Sequence, residues 1–168
     1  MNDNNFKEYV DCLNKYVEKD KNIIFFCIGT DRVIGDCVGP ITGSLLKNKY
    51  GNKNIYGDLE ENLTYENIED KLNEVNLKYS NPYIIAIDAA LSSNEDIGKF
   101  YVDNKGINYR KSLNSKNLKI GDIGIKVVVG KDYNDSELNF KVLQNISLSK
   151  IVKISKKTFD GINILLNK

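Results

Sequence analysis

Residues 29–40 place charged side chains on a glycine-containing segment that directly follows an apolar run. The segment reads GTDRVIGDCVGP, comes after IIFFCI and contains Asp31, Arg32 and Asp36. Carboxylates and an arginine at the end of a buried strand could hold a ligand or take part in catalysis. A structural explanation is equally open, because Asp36 could cap the helix expected after it and Asp31 could pair with Arg32 at the surface.

Asp88 raises the same question at a second position. It directly follows the apolar run YIIAI and opens the segment DAALSSNED. A buried carboxylate is costly unless it is paired, hydrogen-bonded or shares a proton, so Asp88 either caps a loop or helix or belongs to a site. Together, Asp36 and Asp88 would provide the minimum for general acid–base hydrolysis, with one ionised carboxylate accepting a proton from water and one protonated carboxyl donating.

The chain contains no histidine, which limits the chemistry further. This excludes Ser-His-Asp and Cys-His catalysis in their usual forms and every metal site that requires imidazole. Cys37 could act as a thiol nucleophile, but no histidine is present to activate it. Catalysis is therefore expected from carboxylates, lysines, hydroxyl groups, Cys37 or oxygen-bound ions. We predict no cofactor and no metal ligand, with an oxygen-ligated metal at the aspartate pair left open.

The glycines of residues 29–40 predict the local geometry. Glycine adopts a positive φ without the steric penalty that other residues incur. We expect a positive φ, which would hold the Asp36 carboxylate inward, in at least one of Gly29, Gly35 and Gly39.

The spacing of apolar residues predicts the elements that position these side chains. Helical spacing predicts helices over 6–17, about 39–48, a segment capped by Thr64, 136–145 and a last segment capped by Ser147. Apolar and β-branched runs predict strands at 22–28, 54–57, 82–87, 98–104 and 120–130, with KGINYR as a continuation of the fourth through a turn. The last helix is expected to direct five side chains inward: Ile151, Val152, Phe159, Ile162 and Leu166.

Strands that alternate with helices in the first half predict an α/β fold, a three-layer α/β/α sandwich with a mostly parallel twisted sheet. The strand-rich middle adds at least one antiparallel or edge strand. Without a linker or repeat, residues 1–168 are predicted to form a single domain. Parallel strands point their carboxyl ends the same way, so we expect Asp36 and Asp88 in one cleft, with carboxylates within about 6 Å and one pKa raised.

The composition indicates a soluble globular protein, with 41% hydrophobic and 28% charged residues. The 24 basic and 23 acidic side chains give a net charge of +1, so neither nucleic acid nor membrane is expected as a partner. No segment is long enough for a membrane span and the start does not read as a signal peptide. The odd number of cysteines, three, favours a reducing, intracellular environment.

Three motifs together resemble the YyaC-type sporulation proteins of endospore-forming bacteria. They are GTDRVIGDCVGP, IAIDAALSS and IGDIGIKVVVG, and the resemblance extends over nearly the whole chain. That family is similar to the core of the germination protease, which degrades the small acid-soluble spore proteins, and more distantly to the hydrogenase maturation endopeptidases. The resemblance implies a hydrogenase-maturation-protease-like, phosphorylase/hydrolase-like sheet flanked by helices.

The resemblance also implies roles for individual residues. One catalytic aspartate of the germination protease lies in a PDALGP-like motif that matches Asp36 in GDCVGP. The other opens a DALA-like loop that matches Asp88 in DAAL. In the maturation endopeptidases a similarly placed acidic pair binds a metal together with a histidine, which this chain lacks. Since the germination protease is oligomeric, the resemblance further implies self-association.

Two hypotheses about function follow. The first is a sporulation-associated peptidase that uses Asp36 and Asp88 on water, with Asp31, Arg32 and Gly35 binding a protein or peptide substrate. Arg32 and the N–H groups of the glycine segment would stabilise the oxyanion. The second is a catalytically inactive sporulation protein that keeps the fold and binds a protein partner. In either case we expect a homo-oligomer in the cytoplasm of the mother cell or forespore.

Overall fold

The protein folds around a central sheet of five strands, accompanied by a separate ribbon of two strands. The structure is a computed structural model that describes residues 3–94, 96–109 and 118–167. Its elements in chain order are α1 (Asp3–Tyr16), β1 (Ile23–Cys27), a 3-10 turn (Ile34–Asp36), α2 (Val38–Tyr50), β2 (Ile55–Tyr56), α3 (Ile68–Lys78), β3 (Tyr83–Ser92), β4 (Phe100–Asp103), β5 (Ile107–Tyr109), β6 (Leu118–Ile120), β7 (Ile123–Lys131), α4 (Ser136–Asn145) and α5 (Leu148–Leu166).

The strand order of the sheet is β2-β1-β3-β7-β4. Neighbouring strands are parallel except for β4, which runs antiparallel to β7, so the predicted mostly parallel sheet with an antiparallel edge strand is confirmed. From β1 the chain passes through α2 to β2 on one side, and β3 then lies on the other side of β1. This reversal makes the gap between β1 and β3 the topological switch point, where open α/β sheets form their ligand crevices.

Both faces of the sheet are covered, which confirms the three-layer architecture. On β3, Ile85 and Ile87 belong to the core cluster that packs against α1, α2 and α5, whereas Ile84 and Ala86 belong to a second cluster on the opposite face. The second face is covered by α3 together with the β5–β6 ribbon. This double burial explains why β1 and β3 are continuous apolar runs in the sequence.

The strand predicted within KGINYR forms after a turn, but it does not continue β4 in the central sheet. At Gly106 the backbone adopts a φ of 73°, and a Cβ there would lie 2.2 Å from the carbonyl oxygen of Gly121. The chain turns at this glycine and enters β5, which pairs with β6 over the second face of the sheet. Arg110, the end of the predicted segment, lies outside the described residues.

Three other sequence predictions were wrong in detail. The third helix begins at Ile68, with Asn67 as its N-cap residue, because Thr64 starts a turn whose carbonyl accepts the N–H groups of both. In α5, Val152 and Leu166 are exposed. The buried stripe of α5 passes beside these two positions on the helix surface and instead includes Ile154 and Leu165.

Within the ranges that the structure describes, no helix combines the length and apolar character needed to cross a membrane.

The third error concerns β3, which was predicted to stop before Asp88. It continues to Ser92 because β7 pairs with it over the whole of this stretch, from Asp88↔Lys126 to Ser92↔Lys131, with a bulge between Ala90 and Leu91. On its other side β3 loses its partner much earlier. The last pair with β1 is Cys27↔Ile87, so Asp88 is the first residue of β3 that extends beyond β1.

Candidate active site

Asp36 is held at the end of β1 by a tight connection that depends on Gly29. Gly29 has a φ of 140°, and a Cβ there would lie 2.1 Å from the carbonyl oxygen of Asp36. This close approach turns the chain so that Oδ2 of Asp36 accepts the N–H of Thr30 at 3.1 Å. The expectation that a glycine of this segment adopts a positive φ is therefore confirmed at Gly29.

The other two glycines of the segment are required because a side chain would not fit at either position. A Cβ on Gly39, in the first turn of α2, would lie 2.0 Å from the carbonyl oxygen of Ile28, so the helix start packs directly on the end of β1. A Cβ on Gly35 would lie 2.8 Å from Cα of Leu143 in α4. Gly35, predicted to bind substrate, is buried against α4.

Asp36 does not cap α2. The N-cap residue of α2 is Cys37, without a side-chain capping bond, and the Asp36 carboxylate binds Thr30 instead. The helix-cap explanation for Asp36 is therefore wrong. Asp88 is not a cap either, since it lies inside β3.

Asp88 is almost entirely removed from solvent, with 8% of its surface exposed. Its Oδ2 accepts a hydrogen bond from the Tyr65 hydroxyl group, and the adjacent backbone N–H of Ala89 also favours the ionised carboxylate. Lys126, the register partner on β7, adds a positive charge nearby. The buried carboxylate thus has the partners that such a group requires.

Tyr65 was not recognised as a site residue from the sequence. Its position next to Thr64 placed it on the apolar face of the predicted third helix. In the structure it precedes α3, and its ring stacks on Tyr109 of β5 with 3.8 Å between ring centroids and 5° between ring planes. The available hint is chemical: a tyrosine that packs in a core still needs a partner for its hydroxyl group.

Burial makes both aspartates weak acids, and the charge of Asp88 adds to the effect on Asp36. Burial, followed by the negative charge of Asp88, raises the pKa of Asp36 to about 7, although the N–H of Thr30 opposes the shift. Burial raises the pKa of Asp88 to about 6, against the lowering effects of Tyr65, Ala89 and Lys126. A raised pKa was expected for one of the two aspartates, and both carboxyl groups show it. Near neutral pH the pair therefore retains about one proton.

Asp31 and Arg32, predicted to bind substrate, are exposed at the surface of the loop. Their backbone N–H groups are already used, by Oδ1 of Asn62 at 3.1 Å and by Oγ1 of Thr30 at 3.2 Å. The N–H of Gly29 likewise bonds to the carbonyl of Leu63 at 2.9 Å. The suggestion that N–H groups of the glycine segment stabilise an oxyanion is therefore wrong for residues 29–32.

Cys37 is a protonated thiol. Burial, with the charges of Asp31 and Asp36, raises its pKa. Its Sγ donates towards the carbonyl oxygens of Thr30 at 3.4 Å and Val33 at 3.5 Å. A thiol kept protonated in this way is a poor nucleophile.

The residues do not fit the histidine-containing metal site of the maturation endopeptidases. Nowhere in the described parts of the chain do three or more His, Cys, Asp or Glu side chains come together closely enough to hold a metal ion. The oxygen atoms at hand are those of two carboxylates and of a tyrosine hydroxyl group that donates its hydrogen bond to Asp88. Such a set lacks the third ligand that a protein-bound metal of this kind needs.

Comparison with known proteins assigns the chain to a family. The family model described as "Protein of unknown function (DUF1256)" matches residues 1–161. The chain belongs to this family. The protein described as "Uncharacterized protein YyaC" from Bacillus subtilis (strain 168) is 28% identical over 145 residues, which cover 86% of this chain and 69% of that protein. The resemblance to YyaC-type proteins is thus confirmed.

A solved structure shows the same fold. The crystal structure of a NiFe hydrogenase maturation protease, HycI from Thermococcus kodakarensis KOD1, matches with a TM-score of 0.60 and 16% sequence identity. The match covers 93% of this chain and 99% of that one. The predicted hydrogenase-maturation-protease-like architecture is therefore confirmed at the level of the fold.

Proposed function

We propose that this protein is a sporulation-associated peptidase in which Asp36 and Asp88 together activate water. One observation carries the proposal: two charge-coupled carboxylates lie at the switch point of the sheet, with pKa values raised to about 7 and about 6. A pair with these properties can supply an acid and a base at the same pH. The protease-like fold and the match of both positions to the catalytic aspartates of the germination protease support the assignment.

The chemistry needs one ionised and one protonated aspartate. The ionised carboxylate accepts a proton as the water oxygen attacks the peptide carbonyl carbon, while the protonated carboxyl donates to the carbonyl oxygen. When the tetrahedral intermediate collapses, the C–N bond breaks and a proton passes to the leaving amine. The loop N–H groups at residues 29–32 are already bonded, so the protonated carboxyl itself stabilises the developing oxyanion.

Asp31 and Arg32 keep their proposed role in substrate binding. Both side chains are exposed beside the loop that holds Asp36, where they could contact the polar groups of an extended peptide. We place the protein in the cytoplasm of the mother cell or forespore, where spore proteins would be accessible as substrates.

The test is cleavage of small acid-soluble spore proteins by the purified protein, followed by mass spectrometry. Asp36→Asn and Asp88→Asn are each expected to lower the rate by at least about 100-fold, because general acid–base catalysis typically contributes that much or more. Asp160→Asn, at an exposed carboxylate in α5, is the matched control and should cleave at the wild-type rate. Cleavage that persists at full rate in the double variant Asp36→Asn/Asp88→Asn would refute the mechanism.

A non-catalytic function, binding of a protein partner, is the second candidate. It is favoured by four exposed apolar side chains on α4 and α5, called here the α4–α5 apolar residues: Leu138, Phe140, Leu148 and Val152. In a deletion strain with a sporulation or germination defect, this hypothesis expects rescue by the double aspartate variant and failure of Phe140→Lys. The peptidase hypothesis expects the double aspartate variant to fail.

A further inference from the structure

The hydrogen bond from Tyr65 to Asp88 distinguishes the two aspartates from each other. Asp88 accepts a hydrogen bond from the Tyr65 hydroxyl group, and the adjacent N–H of Ala89 and the positive charge of Lys126 also favour its ionised form. Asp36 receives the N–H of Thr30. Each donor that points at a carboxylate favours its ionised form, so the pair is electrically asymmetric.

The position of the Tyr65 hydroxyl is fixed from two sides. Its ring lies flat against Tyr109 of the β5–β6 ribbon, and both rings pack on the second core cluster. The backbone before α3 is held by Asn67, whose Oδ1 accepts the N–H of Thr64 at 2.8 Å and whose Nδ2 donates to the carbonyl of Asn62 at 3.0 Å. Tyr65 therefore has little freedom to turn its hydroxyl group away from Asp88.

Tyr65 cannot itself act as the base. Burial and the negative charges of Asp88 and Asp36 raise its pKa well above that of a free tyrosine, so it is protonated at neutral pH. At neutral pH its hydroxyl group is therefore a hydrogen-bond donor to Asp88. That leaves a role through Asp88 rather than through direct contact with a reacting atom.

We propose that Tyr65, steadied by its stack on Tyr109, is a positioning residue that keeps Asp88 as the proton acceptor of the pair and leaves the shared proton on Asp36. The catalytic consequence rests on the proposed function, whereas the protonation pattern can be measured without any activity. Asp88 then accepts the proton from the attacking water, and Asp36 donates its proton to the peptide carbonyl oxygen.

The experiment is a titration of the aspartate carboxyl carbons by NMR in protein labelled with 13C-aspartate. The Asp36 and Asp88 signals are assigned from Asp36→Asn and Asp88→Asn. In the wild type we expect Asp88 to titrate at the lower pH. Tyr65→Phe removes the hydroxyl but keeps the ring stack, and should raise the Asp88 midpoint by about one pH unit, the size typical of a lost hydrogen bond to a carboxylate.

Tyr101→Phe is the matched control because it removes a comparable bond in the same chain. The Tyr101 hydroxyl donates to Oδ2 of Asp96, which is far more exposed to solvent than Asp88. This variant should leave both site titrations unchanged. Tyr109→Phe, which keeps the stack, should also leave them unchanged.

The outcomes separate the inference from the proposed function. An Asp88 midpoint that does not move in folded Tyr65→Phe, or a wild type in which Asp36 titrates first, would overturn the role of Tyr65 and leave the peptidase proposal standing. Cleavage at the full rate by Asp36→Asn/Asp88→Asn would refute the peptidase proposal but would not change the conclusion drawn from the titration. In active protein, Tyr65→Phe should move the acidic limb of the pH profile upward and lower kcat more than it changes KM.

Discussion

The charge of Asp88 raises the pKa of Asp36, although α2, β2 and α3 separate the two residues along the chain. They interact because β1 and β3 are parallel neighbours, so that the loop after β1 and the extension of β3 reach the same end of the sheet. Gly29 turns the first carboxylate inward, and pairing with β7 carries the second beyond β1. The carboxylate separation of less than about 6 Å remains a prediction.

Ionisation of this pair should make stability fall as the pH rises. The folded-state pKa values of Asp36 and Asp88 lie above the ordinary 3.8, so the folded protein binds these protons more tightly than the unfolded chain. The free energy of unfolding should therefore decrease between about pH 4 and pH 7, and this contribution should be constant on either side. Asp36→Asn should stabilise the protein by about 1–3 kcal/mol at pH 8 and should not do so at pH 4.

Urea unfolding at intervals from pH 4 to pH 8 measures this effect. Asp160→Asn, which removes an exposed carboxylate, should follow the wild-type curve at every pH. If Asp36→Asn and the wild type gave parallel curves, the carboxyl group would not be a weak acid in the folded protein.

The approach of α2 to β1 makes Gly39 intolerant of any side chain. Gly39→Ala would place a Cβ 2.0 Å from the carbonyl oxygen of Ile28, a backbone atom that no side-chain rotation can clear. We expect a loss of more than about 3 kcal/mol in the free energy of unfolding. Gly51→Ala is the comparison for strain without a clash: Gly51 has open space around it, but its φ of 82° and ψ of 174° lie in a region that essentially only glycine adopts, so the variant should cost about 1–3 kcal/mol.

Both values can be read from urea denaturation at one pH. A Gly39→Ala variant as stable as Gly51→Ala would show that the start of α2 can move away from β1.

How far the sequence predicts this structure depends on whether a feature is local. The apolar runs of β1 and β3, the helical spacing of α4 and the start of α5 after Ser147 are local, and they predicted where these elements lie in the sequence. The length of β3 depends on β7, whose pairing from Asp88 to Ser92 no local pattern reveals. The hydrogen bond between Tyr65 and Asp88 likewise requires α3 and the β5–β6 ribbon to pack on the same face of the sheet. Because no local pattern reveals this packing, the sequence predicted Tyr65 only as an apolar position of a helix.

The ion pair between Lys47 and Asp58 should be important for stability because it is largely removed from solvent. Asp58 also accepts the N–H groups of Glu60 at 2.8 Å and Glu61 at 2.6 Å. Burial alone would raise its pKa, but the bonds from Lys47 and these N–H groups outweigh that effect and lower it. Asp58→Asn leaves Lys47 without its partner and should cost about 2–4 kcal/mol at pH 7.

Thermal unfolding of Asp58→Asn beside a variant of an exposed pair checks this prediction. Lys156 and Asp160 form an i,i+4 pair in α5 with 68% and 39% of their side chains exposed, so Asp160→Asn should cost less than about 0.5 kcal/mol. Because the pKa of Asp58 is lowered, its contribution is present at neutral pH and is lost as the pH falls below about 4. Equal losses in the two variants at pH 7 would contradict a special role for the buried pair.

Self-association is expected to involve the α4–α5 apolar residues. None of the residues of α4 is buried, yet Leu138 and Phe140 expose 46% and 50% of their surface, and Leu148 at the start of α5 exposes 54%. Covering these side chains with a second copy would remove apolar area from water, so we expect at least a dimer. Phe140→Lys should shift the mass measured by light scattering to the 19.0 kDa of one chain. Leu77→Lys, at a side chain of α3 that is 90% exposed, should leave the mass unchanged. A wild-type protein whose mass remains 19.0 kDa at every concentration would show that the α4–α5 apolar residues do not bind a second copy.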